Sequence, residues 1–236
     1  DVCSSNLDWA KIIKFFFSLF DSISCRPVNF SSNDFHGEAT MNLYHQTVPV
    51  FTHQLKNLAA ILKLAAKDAK ARGIDPNVLL SSRLAPDMLP LISQVRIATD
   101  HVKGCCGRLA GVDTPFMKDN ETSFTELDER IKTVLKFIRT LKPAQFEGAE
   151  TREIKMVIPI GTIEFNGLDF FNGWSMPNFY FHYSTACAIL RHTGLVIGKK
   201  DLLGKVPGMT GTGKVAKMMG LKTAAKKTAK KPTKKK

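Results

Sequence analysis

The sequence predicts an all-α fold, a four-helix bundle with one small β-hairpin before the last helix. Three observations carry this. Apolar residues recur at three- and four-residue steps through four separate stretches, the spacing that gives a helix one apolar face. The connections are short, so those faces must pack against one another. One stretch, 154–165, instead alternates with a period near two, and Pro159-Ile160-Gly161 can turn the chain within it.

Helix one is expected from about Leu43 to Arg72, with Val48, Phe51, Leu55, Leu58, Leu62 and Ala65 on one face. Pro49 lacks an N–H, so it should kink the first turns or lie near the true start. Gly73 can close the helix as a left-handed cap. Asp75-Pro76 is an N-cap followed by proline at the first helical position, opening a short helix to about Ser82. Helix two is expected from about Pro90 to Ala110, with the stripe Leu91, Val95, Ala98, Val102, Cys105 and Leu109. Gln94 and His101 stand seven residues apart, about two turns, and face one edge of that core.

Ser123-Phe124-Thr125-Glu126 matches a capping box and opens helix three. Its face is Phe124, Leu127, Ile131, Val134, Ile138 and Leu141, and Pro143 stops it. After the hairpin, helix four should cover about Leu168 to His192, kinked at Pro177 and capped by Gly194. Residues four apart share a helix face. Trp174, Asn178, His182, Ala186 and Ile189 therefore form one inward stripe, and an amide and an imidazole sit on it among apolar neighbours. Gln94, Cys105 and Trp174 are the candidate pocket residues beside them. Either this is a buried hydrogen-bonded cluster or it is a ligand site.

The charge organises the chain into three parts. The net +13 is not spread evenly, because residues 205–236 hold eleven lysines and no acid. The expected division is an N-terminal extension outside the fold (1–40), a near-neutral bundle (41–204) and a basic, disordered tail (205–236). The first methionine is Met41, just before the periodic pattern begins. The apolar run Ile12–Phe20 is far short of the ~20 residues a membrane span needs. Five cysteines without a CxxC spacing argue against a zinc ribbon or a disulfide framework and for a reducing, intracellular, cytoplasmic setting. Cys105 is one helical turn from His101, where a thiol and an imidazole can approach.

In the tail, Lys226, Lys227, Lys230, Lys231, Lys234, Lys235 and Lys236 would contact nucleic acid or another anionic surface. Such contacts are nonspecific and strongly salt-dependent, and the run also resembles a nuclear import signal. Gly211-Thr212-Gly213-Lys214 lacks the glycine spacing of a phosphate loop and is discounted.

Several motifs occur in order across 41–204. They are Arg83-Leu84-Ala85-Pro86-Asp87-Met88 leading to Gln94 and Asp100-His101, then Phe146-Glu147-Gly148-Ala149-Glu150. Pro177-Asn178-Phe179 with His182 follows, and then Ile189-Leu190-Arg191-His192. Together they resemble the family known as Domain of Unknown Function nineteen-ninety-three. That family is grouped with the DinB/YfiT-like superfamily of metal-dependent four-helix proteins, some of which are thiol-dependent transferases or isomerases. The resemblance implies three histidines on a divalent metal, zinc or nickel. One comes from helix two and two from a His-x-x-x-His on the last helix. His101 falls on the first position and His182 on the last, but Asn178 stands where the remaining histidine would be. The implied metal set is therefore His101, Asn178 and His182, with a weak, neutral amide oxygen as one donor.

Two functions follow as expectations. One is a DinB-like bundle whose degenerate central site binds a small ligand and, weakly, a divalent metal. The other is a noncatalytic bundle that forms a homodimer or docks through its helix faces and is tethered by the tail. No catalytic residue or reaction is assigned, and whether the protein is an enzyme stays open.

Overall fold

The computed structural model describes residues 42–158, 160–219 and 221–223. The N-terminal extension and all seven tail lysines named above lie outside the described residues. The chain divides into two compact units, Asp1–Leu202 and Leu203–Lys236.

The first unit is mostly helical. Its long helices are α1 (Leu43–Ala71), α3 (Leu91–Ala110), α4 (Phe124–Thr140) and α6 (Met176–His192), with a short α2 (Pro76–Ser81) between the first two. A 3-10 turn at Pro143–Phe146 leads to strands β1 (Glu153–Ile158) and β2 (Gly161–Asn166), which pair antiparallel with Glu153 opposite Asn166. One α-helical turn, α5 (Gly167–Asp169), and a π-helical turn (Phe170–Ser175) lead into α6. A last short helix, α7 (Lys199–Leu203), reaches the end of the unit. The most extensive helix–helix packing is α3 against α6, followed by α3 against α4 and α1 against α4.

The core is built from the apolar stripes. Phe51 of α1 meets Phe179 of α6 edge to face at 5.1 Å, and both are fully buried. Tyr183 is also fully buried, and its hydroxyl donates to the Leu202 carbonyl at 2.9 Å. That bond holds the segment after α6, with buried Leu195 and Ile197, against the helix. Among the described residues no helix is long and apolar enough to cross a membrane.

Local chemistry accounts for the helix ends. Asn42 caps α1 by accepting from the Tyr44 N–H at 2.8 Å, and Gly73 and Gly111 take the left-handed conformation just past α1 and α3. Asp75 caps α2 through the Asn77 N–H. Three details depart from the sequence expectation. Pro49 is not one of them, since it lies inside α1 close to its start. It deprives only the His45 carbonyl of its helical donor, and that residue is exposed. The capping box of α4 is half made. Ser123 Oγ accepts the Glu126 N–H at 3.2 Å, but the Glu126 carboxylate takes the Thr122 N–H rather than that of Ser123.

Helix four is not one α-helix from Leu168. The Met176 N–H bonds to the Phe171 carbonyl, a five-residue step, so the chain enters α6 through a π turn and Pro177 lies in the first turn of α6. Finally, residues 205–223 carry more order than their composition predicts. The described part of the second unit contains helix α8 (Gly213–Met219) and a short parallel pairing of Thr210–Gly211 with Lys222–Thr223. Ala216 is buried there and its carbonyl accepts the Leu221 N–H at 2.9 Å. A two-residue strand thus does precede Gly213-Lys214, but α8 is only seven residues long.

Candidate functional site between α3 and α6

The packing of α3 on α6 brings Gln94, His101 and His182 together. His182 is 5% exposed, and its Nδ1 lies 2.7 Å from Gln94 Oε1. The His101 and His182 rings are nearly parallel, with centroids 5.8 Å apart and 16° between their planes. Asn178, one turn before His182, is 9% exposed, and its Nδ2 donates to the Trp174 carbonyl at 2.7 Å. Trp174 itself packs by its ring on Phe165 of β2. His101 is partly buried and makes no hydrogen bond among the described residues.

The amide of Gln94 sets the polarity of the cluster. Its Nε2 donates to the Leu89 carbonyl at 3.0 Å. The reverse orientation would place two oxygens in contact there, so Oε1 must face His182 and accept. His182 Nδ1 therefore carries the proton and its Nε2 presents a lone pair. The Leu89 acceptor was missed in the sequence. Its signal is Pro90: a carbonyl just before a helix start stands outside the helical ladder and is free to accept from the side chain at i+5.

Burial lowers both imidazoles. His182 falls to about 4, and His101 falls to about 3 through burial, then through His182 and Arg108 beside it. Arg108 also lies over the Phe170 ring, 5.9 Å from its centroid. Burial pushes the Cys105 thiol up to about 12 against the opposing pull of the Ser175 hydroxyl next to it. Burial thus disfavours both the imidazolium of His101 and the thiolate of Cys105, which opposes a His101–Cys105 ion pair. Cys105 and its buried neighbour Cys106 serve as small core side chains.

The depressed value of His182 has a consequence for stability. An unfolded histidine titrates near 6.5 and the folded one near 4. Between those values the unfolded chain binds the extra proton, so stability falls as pH drops from 6.5 and levels off below about 4. The contribution of His182 is at most about 3 kcal/mol. Thermal melts of the His182→Gln variant should show a shallower decline across that window. An unchanged slope would assign the effect to another group.

Among the described residues no three His, Cys, Asp or Glu side chains gather where a metal could sit. The set of His101, Asn178 and His182 supplies two imidazoles and one amide oxygen, all neutral. Arg108 acts on His101 with a like charge, which disfavours a dication there. These residues do not fit the three-imidazole centre that the resemblance implies. Two clefts described elsewhere do not touch the cluster. One lies beside the hairpin at Thr151, Glu164 and Asp169, and the other lies at the end of α6 at Cys187, Arg191 and Leu202.

Known proteins agree with this architecture. A crystal structure of a DinB family member protein from Shewanella denitrificans is 41% identical to the chain. The match covers 72% of this chain and 96% of that one, with a TM-score of 0.67. No curated protein matches the chain. The family model described as "Domain of unknown function (DUF1993)" matches residues 43–203, the whole of the helical unit from α1 onward. The chain belongs to the DUF1993 family and has a DinB-like fold.

Proposed function

We propose that the protein is a four-helix DinB-like bundle whose site between α3 and α6 binds a small ligand through His182, Asn178 and His101, and holds a divalent metal only weakly. The observation that carries this reading is the Gln94–His182 bond of 2.7 Å, backed by the Gln94–Leu89 bond of 3.0 Å. A buried imidazole held in one tautomer by a second, anchored side chain is the arrangement that aims a ring nitrogen at a ligand. His101 supports it, because its ring stands against His182 without a hydrogen bond of its own.

Replacement of one imidazole by an amide weakens a zinc site. Zinc titrated into the chelator-treated full chain should therefore bind at least about tenfold more weakly than it binds to the Asn178→His variant, which restores the three-imidazole set. Equal affinities in the two proteins would overturn the weak-metal reading. Loss of zinc binding in the variant when His182 is also changed to Ala would place the ion at this cluster.

A further inference from the structure

The cleft at the end of α6 is built apart from the histidine cluster. α1 contributes Ile61 to it, α6 contributes Ala188 and Arg191, and the segment after α6 contributes Ile197, Lys199 and Leu202. Its volume is about 350 Å³, within the range that small-molecule sites occupy. Hydrogen bonds fix its walls. The Leu202 carbonyl accepts from the Tyr183 hydroxyl of α6 at 2.9 Å and from Asn57 Nδ2 of α1 at 3.2 Å. Arg191 Nη1 donates to the Ile197 carbonyl. The returning segment is thereby pinned to both helices, and the cleft between them is a fixed feature of the fold.

Its lining is divided by polarity. Ile61 and Ile197 are buried, whereas Arg191 and Lys199 are exposed, so the cleft is apolar at its base and cationic at its mouth. Among the described residues neither Arg191 nor Lys199 forms an ion pair. One carboxylate, Asp201, lies close enough to act on the thiol of Cys187 in the cleft wall, and its Oδ2 accepts the Gly198 N–H at 2.8 Å.

From this we infer that the cleft binds a small monocarboxylate with an apolar body. Arg191 and Lys199 receive the carboxylate, and the body packs on Ile61, Ala188, Ile197 and Leu202. The guanidinium has N–H groups beyond the one that Ile197 takes, so it can still donate to an anion. Two cations and one carboxylate leave a single net positive charge. A monoanion balances it, whereas a dianion such as phosphate would leave an excess of negative charge beside Asp201. A bare anion would leave the apolar base uncovered, and a cation would meet Arg191 and Lys199 directly. The inference is independent of the ligand site between α3 and α6, because the two share no residue.

Hexanoate, hexan-1-ol and acetate are the probes, titrated at low ionic strength into the full chain carrying carbon-13 isoleucine methyls. Reading the methyls separates binding in the cleft from binding to the lysines of 205–236. Hexanoate should move the Ile61 and Ile197 signals and leave that of Ile131 on α4 in place. Hexan-1-ol keeps the body and loses the charge, and acetate keeps the charge and loses the body. Each should bind about tenfold more weakly than hexanoate. Lys199→Glu alters an exposed residue, so it should keep the wild-type Tm while weakening hexanoate about tenfold. Hexan-1-ol binding as tightly as hexanoate, or equal hexanoate affinity in wild type and Lys199→Glu, would overturn the pairing of charges. Acetate binding as tightly as hexanoate would overturn the apolar body. Unmoved Ile61 and Ile197 signals, or an equal movement of Ile131, would overturn the cleft as the site.

Discussion

Replacing Arg130 with alanine is expected to lower stability by about 3–5 kcal/mol, read as a drop in the urea midpoint. Arg130 stands on α4 and is only 3% exposed. Its guanidinium meets Asp100 at 2.8 Å, Asp119 at 2.6 Å and Glu121 at 2.9 Å, and its Nε donates to Thr99 Oγ1 at 2.7 Å. Arg96 of α3 holds Glu121 from the other side at 2.8 Å. The cluster thus fastens the irregular segment 112–122 across α3 and α4. Removing the central cation leaves Asp119 enclosed without its cation and Glu121 with Arg96 alone, and that penalty, rather than the lost attraction, is the larger part of the effect. Arg130→Lys keeps the charge but not the fork that reaches three carboxylates, so it should fall between wild type and alanine. Because the group is enclosed, the loss should persist in 0.5 M salt. A loss below about 1 kcal/mol, or one abolished by salt, would mean that the cluster behaves as a surface pair.

This cluster also shows where reading the sequence stops. The helices were legible because burial follows period: Val48 to Ala65, Leu91 to Leu109 and Phe124 to Ile138 are the residues that line the core. Arg130 breaks that rule. Beside Ile131 on an amphipathic helix it reads as solvated, and it becomes buried only because a loop carrying Asp119 and Glu121 folds over it. The π turn is invisible for a different reason. Phe170, Phe171, Trp174 and Met176 supply apolar side chains at several angular positions, so one extra residue per turn leaves no mark on the pattern. At the candidate site, Asn178 and His182 were visible as polar residues on an apolar stripe, and Gln94 with His101 as residues of one helix edge. The 2.7 Å bond that joins the two helices spans 88 residues, and its polarity depends on the Leu89 carbonyl. Such non-local geometry has no period to reveal it.

Gly167→Ala should cost about 3 kcal/mol or more and should also disturb the histidine pair. A Cβ at Gly167 would lie 1.8 Å from the Ala149 carbonyl oxygen, 2.9 Å from its carbon and 3.2 Å from Leu109 Cδ2. The obstacle is mostly backbone, which cannot swing aside as a side chain can. It is also clamped. Phe146 and Ala149 are fully buried, the Leu168 N–H donates to the Glu150 carbonyl at 2.9 Å, and Arg152 bonds to the Leu109, Gln145 and Glu147 carbonyls. The stretch Phe146–Glu150 carries two carboxylates and invites a catalytic reading, yet its backbone and its buried side chains are what the fold uses. Gly167 begins the turn that leads through Phe170–Ser175 to Asn178 and His182, so a forced shift there is passed along α6 toward the Gln94–His182 bond. The expected readings are a large fall in Tm and a changed nitrogen-15 signal from His182. Gly173→Ala is the matched control: it lies in the same turn region, and an added Cβ meets nothing within 4 Å. It should stay within about 0.5 kcal/mol of wild type. If the two variants lost stability equally, the π turn would be intolerant of any side chain, and the close approach of Gly167 to Ala149 would not be what positions α6.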